Sequence, residues 1–168
     1  TDYLKEENEL IVIVRDFSDH SYYSRGKQTL KRGGMYYTAQ SGIWQTVWME
    51  QVPECYIQSL KITPLYDEKK VEVIVKSAKD CEVIIEVVSA EDEEIIVEGR
   101  TNTPVIIPIE DVHSWSPEDP FLYDMKVEMC EDQVESYFAM RKISVSKGKD
   151  GIVKVCLNNQ PYFQNGLL

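Results

Sequence analysis

Apolar and polar residues alternate with a period of two through most of the chain. This is the pattern of half-buried strands, whose successive side chains point to opposite faces. The clearest runs are Val71 to Val75, Cys81 to Val88, Ile95 to Val97, Val105 to Ile109, Leu122 to Met129 and Val134 to Ile143. Cys55 to Ile62 precedes them, and charged turns such as Tyr66 to Lys70, Ser77 to Asp80 and Ala90 to Glu94 separate them. Seven strands in this middle stretch predict an antiparallel sandwich of the immunoglobulin or fibronectin class. Towards the end, Ile152 to Leu157 and Pro161 to Phe163 predict a hairpin about Asn158-Asn159, good turn chemistry. Helical periodicity is nearly absent. Only Thr1 to Lys5, with Thr1 or Asp2 as cap, and Glu110 to His113 suggest single helical turns.

The first fifty residues differ. Leu10 to Val14 and Ile43 to Met49 read as strands, but a long stretch rich in Tyr, Gly, Ser and Arg joins them. Such a loop is unusual inside a compact domain and suggests the tail of a second β-domain. The expected division is therefore 1–51 as a partial jelly-roll, 52–146 as the sandwich, and 147–168 as a terminal hairpin. The fold class is all-β, an immunoglobulin-like antiparallel β-sandwich plus a partial jelly-roll segment.

Composition narrows the function. The formal net charge of −11 repels phosphate backbones, which argues against nucleic-acid binding. No run of about 18 apolar residues is present, so no helix spans a membrane. The four cysteines, Cys55, Cys81, Cys130 and Cys156, are widely spaced, and neither histidine, His20 or His113, lies beside one. The reading is four small apolar thiols in strands, reduced in a cytoplasm, with no metal site and no cofactor.

Candidate chemistry is sparse. Glycoside hydrolysis needs two carboxylates flanking one bond. Glu72, Glu82 and Glu86 alternate with apolar residues, which places them on the solvent face of a sheet. Neither histidine accompanies a nucleophile elbow, and phosphate-loop spacing is absent. Gly33-Gly34 beside Arg32 reads as a flexible turn in preference to an anion site. Tyr22, Tyr23, Tyr36, Tyr37, Trp44 and Trp48 cluster in the first fifty residues. Core or interface packing is favoured over sugar stacking for them. Trp44 and Trp48 would share one face of a regular strand.

Several stretches resemble glycoside hydrolase family 2, which includes β-galactosidases, β-glucuronidases and β-mannosidases. Tyr37 to Glu50, with Ser41-Gly42-Ile43-Trp44, is similar to the last strand of that family's jelly-roll. Thr1 to Lys5, Asn8 to Leu10 and Arg25 to Gln28 resemble its closing segments. Trp115-Ser116-Pro117-Glu118-Asp119-Pro120-Phe121-Leu122-Tyr123 looks like the Trp-Ser-Pro loop of the family's immunoglobulin-like domain. Tyr137 to Ile143 resembles its Phe-Gly-x-Arg strand, with Ala139 in place of glycine. Asn158 to Gly166 resembles the hairpin that leads into the catalytic barrel.

The resemblance implies a parent enzyme that hydrolyses β-glycosides with retention, using two barrel glutamates beyond Leu168. No catalytic residue falls within this chain. Its expected partners are the parent's barrel and jelly-roll, and substrate through the parent; open strand edges would also permit a homo-oligomer. Trp44, Gln45 and Thr46 would lie at the substrate rim. Thr46 takes the place of an aspartate in some family β-galactosidases and cannot supply its charge. Trp115, Pro117, Pro120, Phe121, Tyr123 and Arg141 carry structural roles: the prolines lock a loop, the aromatics pack it on the sandwich end, and Arg141 pairs with an acid or carbonyl. The alternative is an autonomous carbohydrate-binding or protein-interaction module.

Overall fold

The computed structural model describes residues 4–20, 22 and 24–166. The expected turn at Thr1 to Lys5 with its cap, and Tyr23, lie outside the described residues in whole or part. The chain divides into two compact units, Thr1–Glu50 and Gln51–Leu168.

The first unit has little regular structure. β1 (Gln28–Thr29) pairs in parallel with β2 (Tyr37–Thr38). Leu10 to Val14 and Ile43 to Met49 are not strands. Their side chains stay exposed, with Ile13 at 77% and Trp48 at 76%. Strand propensity alone does not make a strand: the backbone groups need a neighbour to bond, and no described residue of this unit provides one. Polar side chains organise the unit instead. Asp19 accepts hydrogen bonds from Thr29 Oγ1 (2.6 Å) and Leu30 N (3.2 Å), and Asp16 accepts one from Ser41 Oγ (2.8 Å). Gly33-Gly34 forms a tight turn closed by Tyr36 N donating to Gly33 O, with Gly34 at φ 58°.

The second unit is a β-sandwich. β3 (Ser59–Leu65), β4 (Lys70–Lys76) and β7 (Pro104–Pro108) form one antiparallel sheet, ordered β3-β4-β7. β5 (Glu82–Val88), β6 (Glu94–Arg100), β8 (Tyr123–Met129) and β9 (Asp132–Phe138) form the other, ordered β6-β5-β8-β9. The hairpin β5–β6 thus inserts in sequence between two neighbours of the opposite sheet, a crossing typical of immunoglobulin-like sandwiches. Among the described residues there is no α-helix; a single 3-10 turn covers Tyr66–Glu68. Glu110 to His113 is irregular, not helical.

Alternation puts the core between the sheets. Val71, Val73 and Val75 of β4 are fully buried, as are Ile85 and Val87 of β5, Ile107 of β7, and Tyr123 and Val127 of β8. Glu72, Glu82 and Glu86 point the other way, exposed or half-buried. Each buried Val or Ile side chain contributes about 1.5–3 kcal/mol relative to exposure. Gly99 lets β6 approach β7 closely, because a Cβ there would stand 2.3 Å from Val105 Cγ2.

Tyr123 closes the corner into β8. Its hydroxyl accepts a hydrogen bond from His113 N (2.7 Å) and donates one to Asp111 O (3.4 Å). Burial pushes its phenol above the usual range. The hydroxyl thus ties the start of β8 to loop backbone ten and twelve residues upstream.

The segment written from sequence as one strand, Val134 to Ile143, is broken. β9 ends at Phe138, and β10 (Ile143–Lys147) begins a separate three-stranded sheet with β11 (Val153–Leu157) and β12 (Gln160–Pro161). Between them Met140 bridges Ser114 and is fully buried. Asn158 (φ 49°) and Asn159 (φ 66°) both take left-handed conformations in the two-residue β11–β12 turn, as a type I′ hairpin demands.

Candidate functional site

The richest polar surface of the sandwich unit gathers around the loop from Glu110 to Phe121. The loop reaches from the end of β7 to the start of β8, and its own side chains shape it. Ser116 N donates to Asp119 O (2.9 Å), and Asp119 N donates back to Ser116 O (3.2 Å). Pro117 and Pro120 are exposed and cannot donate, which suits a segment folded on itself.

A row of rings carries this loop into the core. His113 stacks on Phe121 with centroids 4.2 Å apart. Phe121 meets Tyr123 edge-on at 5.0 Å, and Tyr123 stacks on Phe138 at 5.1 Å. His113 Nε2 lies 2.7 Å from Asp119 Oδ2. Tyr66 Oη and Ser114 Oγ share a 2.7 Å hydrogen bond.

Trp115 is half-buried, and its backbone N donates to Met140 O (3.0 Å). The exposed Arg141 places its guanidinium carbon 4.5 Å from the Trp115 ring centroid. The partner found for Arg141 is thus an aromatic face and not an acid or carbonyl. A flat, weakly hydrated guanidinium favours such a surface.

The terminal hairpin binds the same region. Asn158 Nδ2 donates to Trp115 O (3.0 Å), and Lys142 N donates to Asn158 Oδ1 (3.0 Å). Asn159 Nδ2 donates to Asp67 Oδ1 (2.8 Å), while Lys142 pairs with the other Asp67 oxygen. Tyr162 Oη donates to Glu118 Oε1 (2.9 Å).

An open cleft of about 650 Å³ lies beside this network, lined in part by Asp67, Lys69, Glu91, Glu110 and Asp111. Acidic side chains outnumber the one lysine in its lining. The Asn159 and Lys142 hydrogen bonds hold the Asp67 carboxyl below its ordinary range. Glu118 is held low by its own backbone N–H, then by Tyr162 and Ser116. Every described carboxylate with a resolved shift is lowered: Asp16, Asp19, Glu54, Asp67, Glu118 and Asp150. A glycosidic general acid requires the opposite, a carboxyl kept protonated near neutrality.

The rim residues lie in the first unit. Trp44 is 87% exposed, and Gln45 and Thr46 are exposed beside it. Tyr22, Tyr36, Tyr37 and Trp48 are exposed as well, so these aromatics are not buried in a core among the described residues of the unit.

At the far end of β8, the fold gathers what sequence spacing keeps apart. Cys55 precedes β3, Cys81 precedes β5, and Cys130 follows β8. Their Sγ atoms all lie within 4.8 Å of one another. These three thiols are the described side chains best arranged to hold a metal ion. Only strand pairing brings them together, so no local motif reveals them.

Comparison with known proteins places these features in context. Residues 55–141 match Glycosyl hydrolases family 2. A β-galactosidase of Leuconostoc mesenteroides subsp. mesenteroides is 27% identical over 184 residues, covering 96% of this chain and 17% of the relative. The apo β-glucuronidase of Ruminococcus gnavus has the same fold over 68% of this chain and 20% of its own, at TM-score 0.56 and 18% identity. The same enzyme in complex with uronic isofagomine superposes at TM-score 0.53, with 66% of this chain and 18% of that one covered at 18% identity. The chain therefore spans under a quarter of the length of each of these relatives.

Proposed function

The chain belongs to glycosyl hydrolases family 2, and from that premise we propose that it is a non-catalytic part of a longer retaining β-glycosidase. The sandwich serves as a spacer that fixes a jelly-roll against a catalytic barrel. One observation carries this reading: 96% of the chain aligns with only 17% of a β-galactosidase. The lowered Asp67 and Glu118 carboxyls support it, because a group that protonates a leaving group needs the opposite shift. In this reading residues 1–51 belong to the jelly-roll, and the parent supplies the strands that would pair with Leu10 to Val14. The wide spacing of the four cysteines along the sequence is compatible with a reducing compartment such as the cytoplasm.

Chromogenic β-galactosides, β-glucuronides and β-mannosides test the proposal. The isolated chain should release chromophore no faster than buffer. Turnover above that rate would remove the spacer reading.

A second reading, an autonomous carbohydrate-binding module, draws on the exposure of Trp44 and Trp48, since sugar rings pack on open aromatic faces. Calorimetry with galactose, glucuronic acid and mannose separates the two. Saturable binding lost in Trp44→Ala would favour the module. Heats indistinguishable from dilution would favour the spacer, with Trp44, Gln45 and Thr46 completing a rim only within the parent.

A further inference from the structure

We propose that Cys55, Cys81 and Cys130 form a three-thiolate site for a thiophilic divalent d10 cation of the zinc type. The site lies at the end of the sandwich remote from the Trp115 loop and owes nothing to glycoside chemistry.

The three sulfurs converge on one point, packed more tightly than they would be around an ion. Cys55 Sγ lies 3.3 Å from Cys81 Sγ and 2.6 Å from Cys130 Sγ. Tetrahedral zinc with bonds of about 2.3 Å separates its sulfurs by roughly 3.8 Å. Rotation of the Cys55 and Cys130 side chains would open both separations to that value. With three protein ligands, a water takes the fourth position, as in open zinc sites.

The backbone around the thiols is fixed. Ile57 N donates to Asp132 Oδ2 (2.7 Å), which ties the Cys55 segment to the β8–β9 turn. Ser77 Oγ donates to Tyr56 O (3.0 Å). Cys81 N donates to Thr101 Oγ1 (3.0 Å), and Thr101 is itself buried. Three separate chain segments thus converge with their sulfurs already aimed at one point. This preorganisation reduces the ordering needed on binding.

Cys130 is costly to explain as a packing residue. It is exposed, and it occupies a left-handed turn position at φ 55°. Glycine or asparagine adopts that conformation at less cost, and neither supplies sulfur. Strain at a reactive side chain is a sign of a functional constraint.

Charge also fits. Binding breaks three S–H bonds, forms three metal–sulfur bonds and releases three protons to solvent. The divalent ion with three thiolates carries one net negative charge. Two ion pairs, Lys79–Glu54 at 2.7 Å and Arg100–Asp80 at 3.0 Å, flank the Cys81 segment.

The test uses the reduced, chelator-treated full chain and zinc(II) alone, followed by calorimetry, with cadmium(II) as a second probe read by sulfur-to-metal charge-transfer absorption. One ion per chain is expected, with proton release that varies with buffer ionisation. Cys55→Ser, Cys81→Ser and Cys130→Ser should each weaken binding by at least about tenfold, since even outer-shell losses reach that size. Cys156→Ser should leave it unchanged, because Cys156 is buried in β11 and bonds Ser146 instead. Cys130→Ser alters only an exposed turn, so a retained melting transition excludes unfolding as the cause of its loss. The proposal fails if no ion binds, if Cys130→Ser binds like the parent chain, or if Cys156→Ser loses affinity equally. It also fails if a Cys55–Cys130 disulfide forms in air and persists with zinc present.

Discussion

Leu10 to Val14 and Val71 to Val75 are nearly interchangeable as sequences, both β-branched and apolar at alternate positions. Yet Ile11 and Ile13 are 72% and 77% exposed, while Val71, Val73 and Val75 are at 0%. β4 has a neighbour on each side, with β3 in register from Ser59↔Lys76 to Leu65↔Lys70 and β7 from Lys70↔Pro108 to Ile74↔Pro104. Leu10 to Val14 has none among the described residues. Burial follows from pairing, because an unpaired backbone cannot leave water without losing its hydrogen bonds. The first unit is held by carboxylate contacts at Asp16 and Asp19, the second by a continuous apolar core.

Matched truncations should expose this contrast most strongly. Ile85→Ala removes a fully buried side chain and should cost about 3–4 kcal/mol. Ile13→Ala should stay within about 0.5 kcal/mol of the parent chain. Urea unfolding followed by far-ultraviolet circular dichroism measures both. Equal losses would show that the first unit has a core after all.

Trp115→Ala should destabilise the second unit by about 2 kcal/mol, less than for a fully buried tryptophan, because the ring is half-exposed and part of its contact is with Arg141. Trp48→Ala in the first unit should be close to neutral. Thermal melts of the two variants rank them directly.

Gly99→Ala tests packing where no side chain is removed. The added methyl collides with Val105, so a loss of about 1–2 kcal/mol is expected. A neutral result would mean that β6 and β7 can separate without consequence.

Acidification gives the smallest effect on the second unit and a larger one on the first. Asp16, Asp19 and Asp67 have folded values below their ordinary 3.8, and Glu118 below 4.5. The unfolded chain therefore binds more protons. The stabilisation is complete above those ordinary values and fades as pH falls through the folded ones. As pH falls through those lowered values, the Asp16–Ser41 and Asp19–Thr29 contacts should open while the sandwich core persists. Hydrogen exchange at pH 6 and at pH 3, corrected for intrinsic rates, distinguishes the two units.

The sandwich was legible because its strands alternate strictly and charged turns punctuate them. All seven central strands appear near their expected places. Boundaries failed where tertiary contacts override local pattern. Cys55 to Gln58 lies before β3, held by the Asp132 and Ser77 side chains and by one backbone bond from Gln58 N to Lys76 O. Val134 to Ile143 divides at Met140, which turns into the core beside Ser114. The strands expected at Leu10 to Val14 and Ile43 to Met49 needed partners that propensity cannot supply. The Trp-Ser-Pro loop was visible as a motif, but its clamp by Asn158 and Tyr162 joins residues more than forty positions apart. The thiol triangle was hidden for the same reason.

The ring row from His113 to Phe138 has a spectroscopic consequence. His113 lies face to face with Phe121, tilted by 17°, and therefore within the shielding cone of that ring. Its imidazole protons should resonate upfield of those of His20, whose side chain is 75% exposed. The protein has two histidines, and each unit holds one. A single proton spectrum thus contains a separate, self-labelled reporter for each half of the chain.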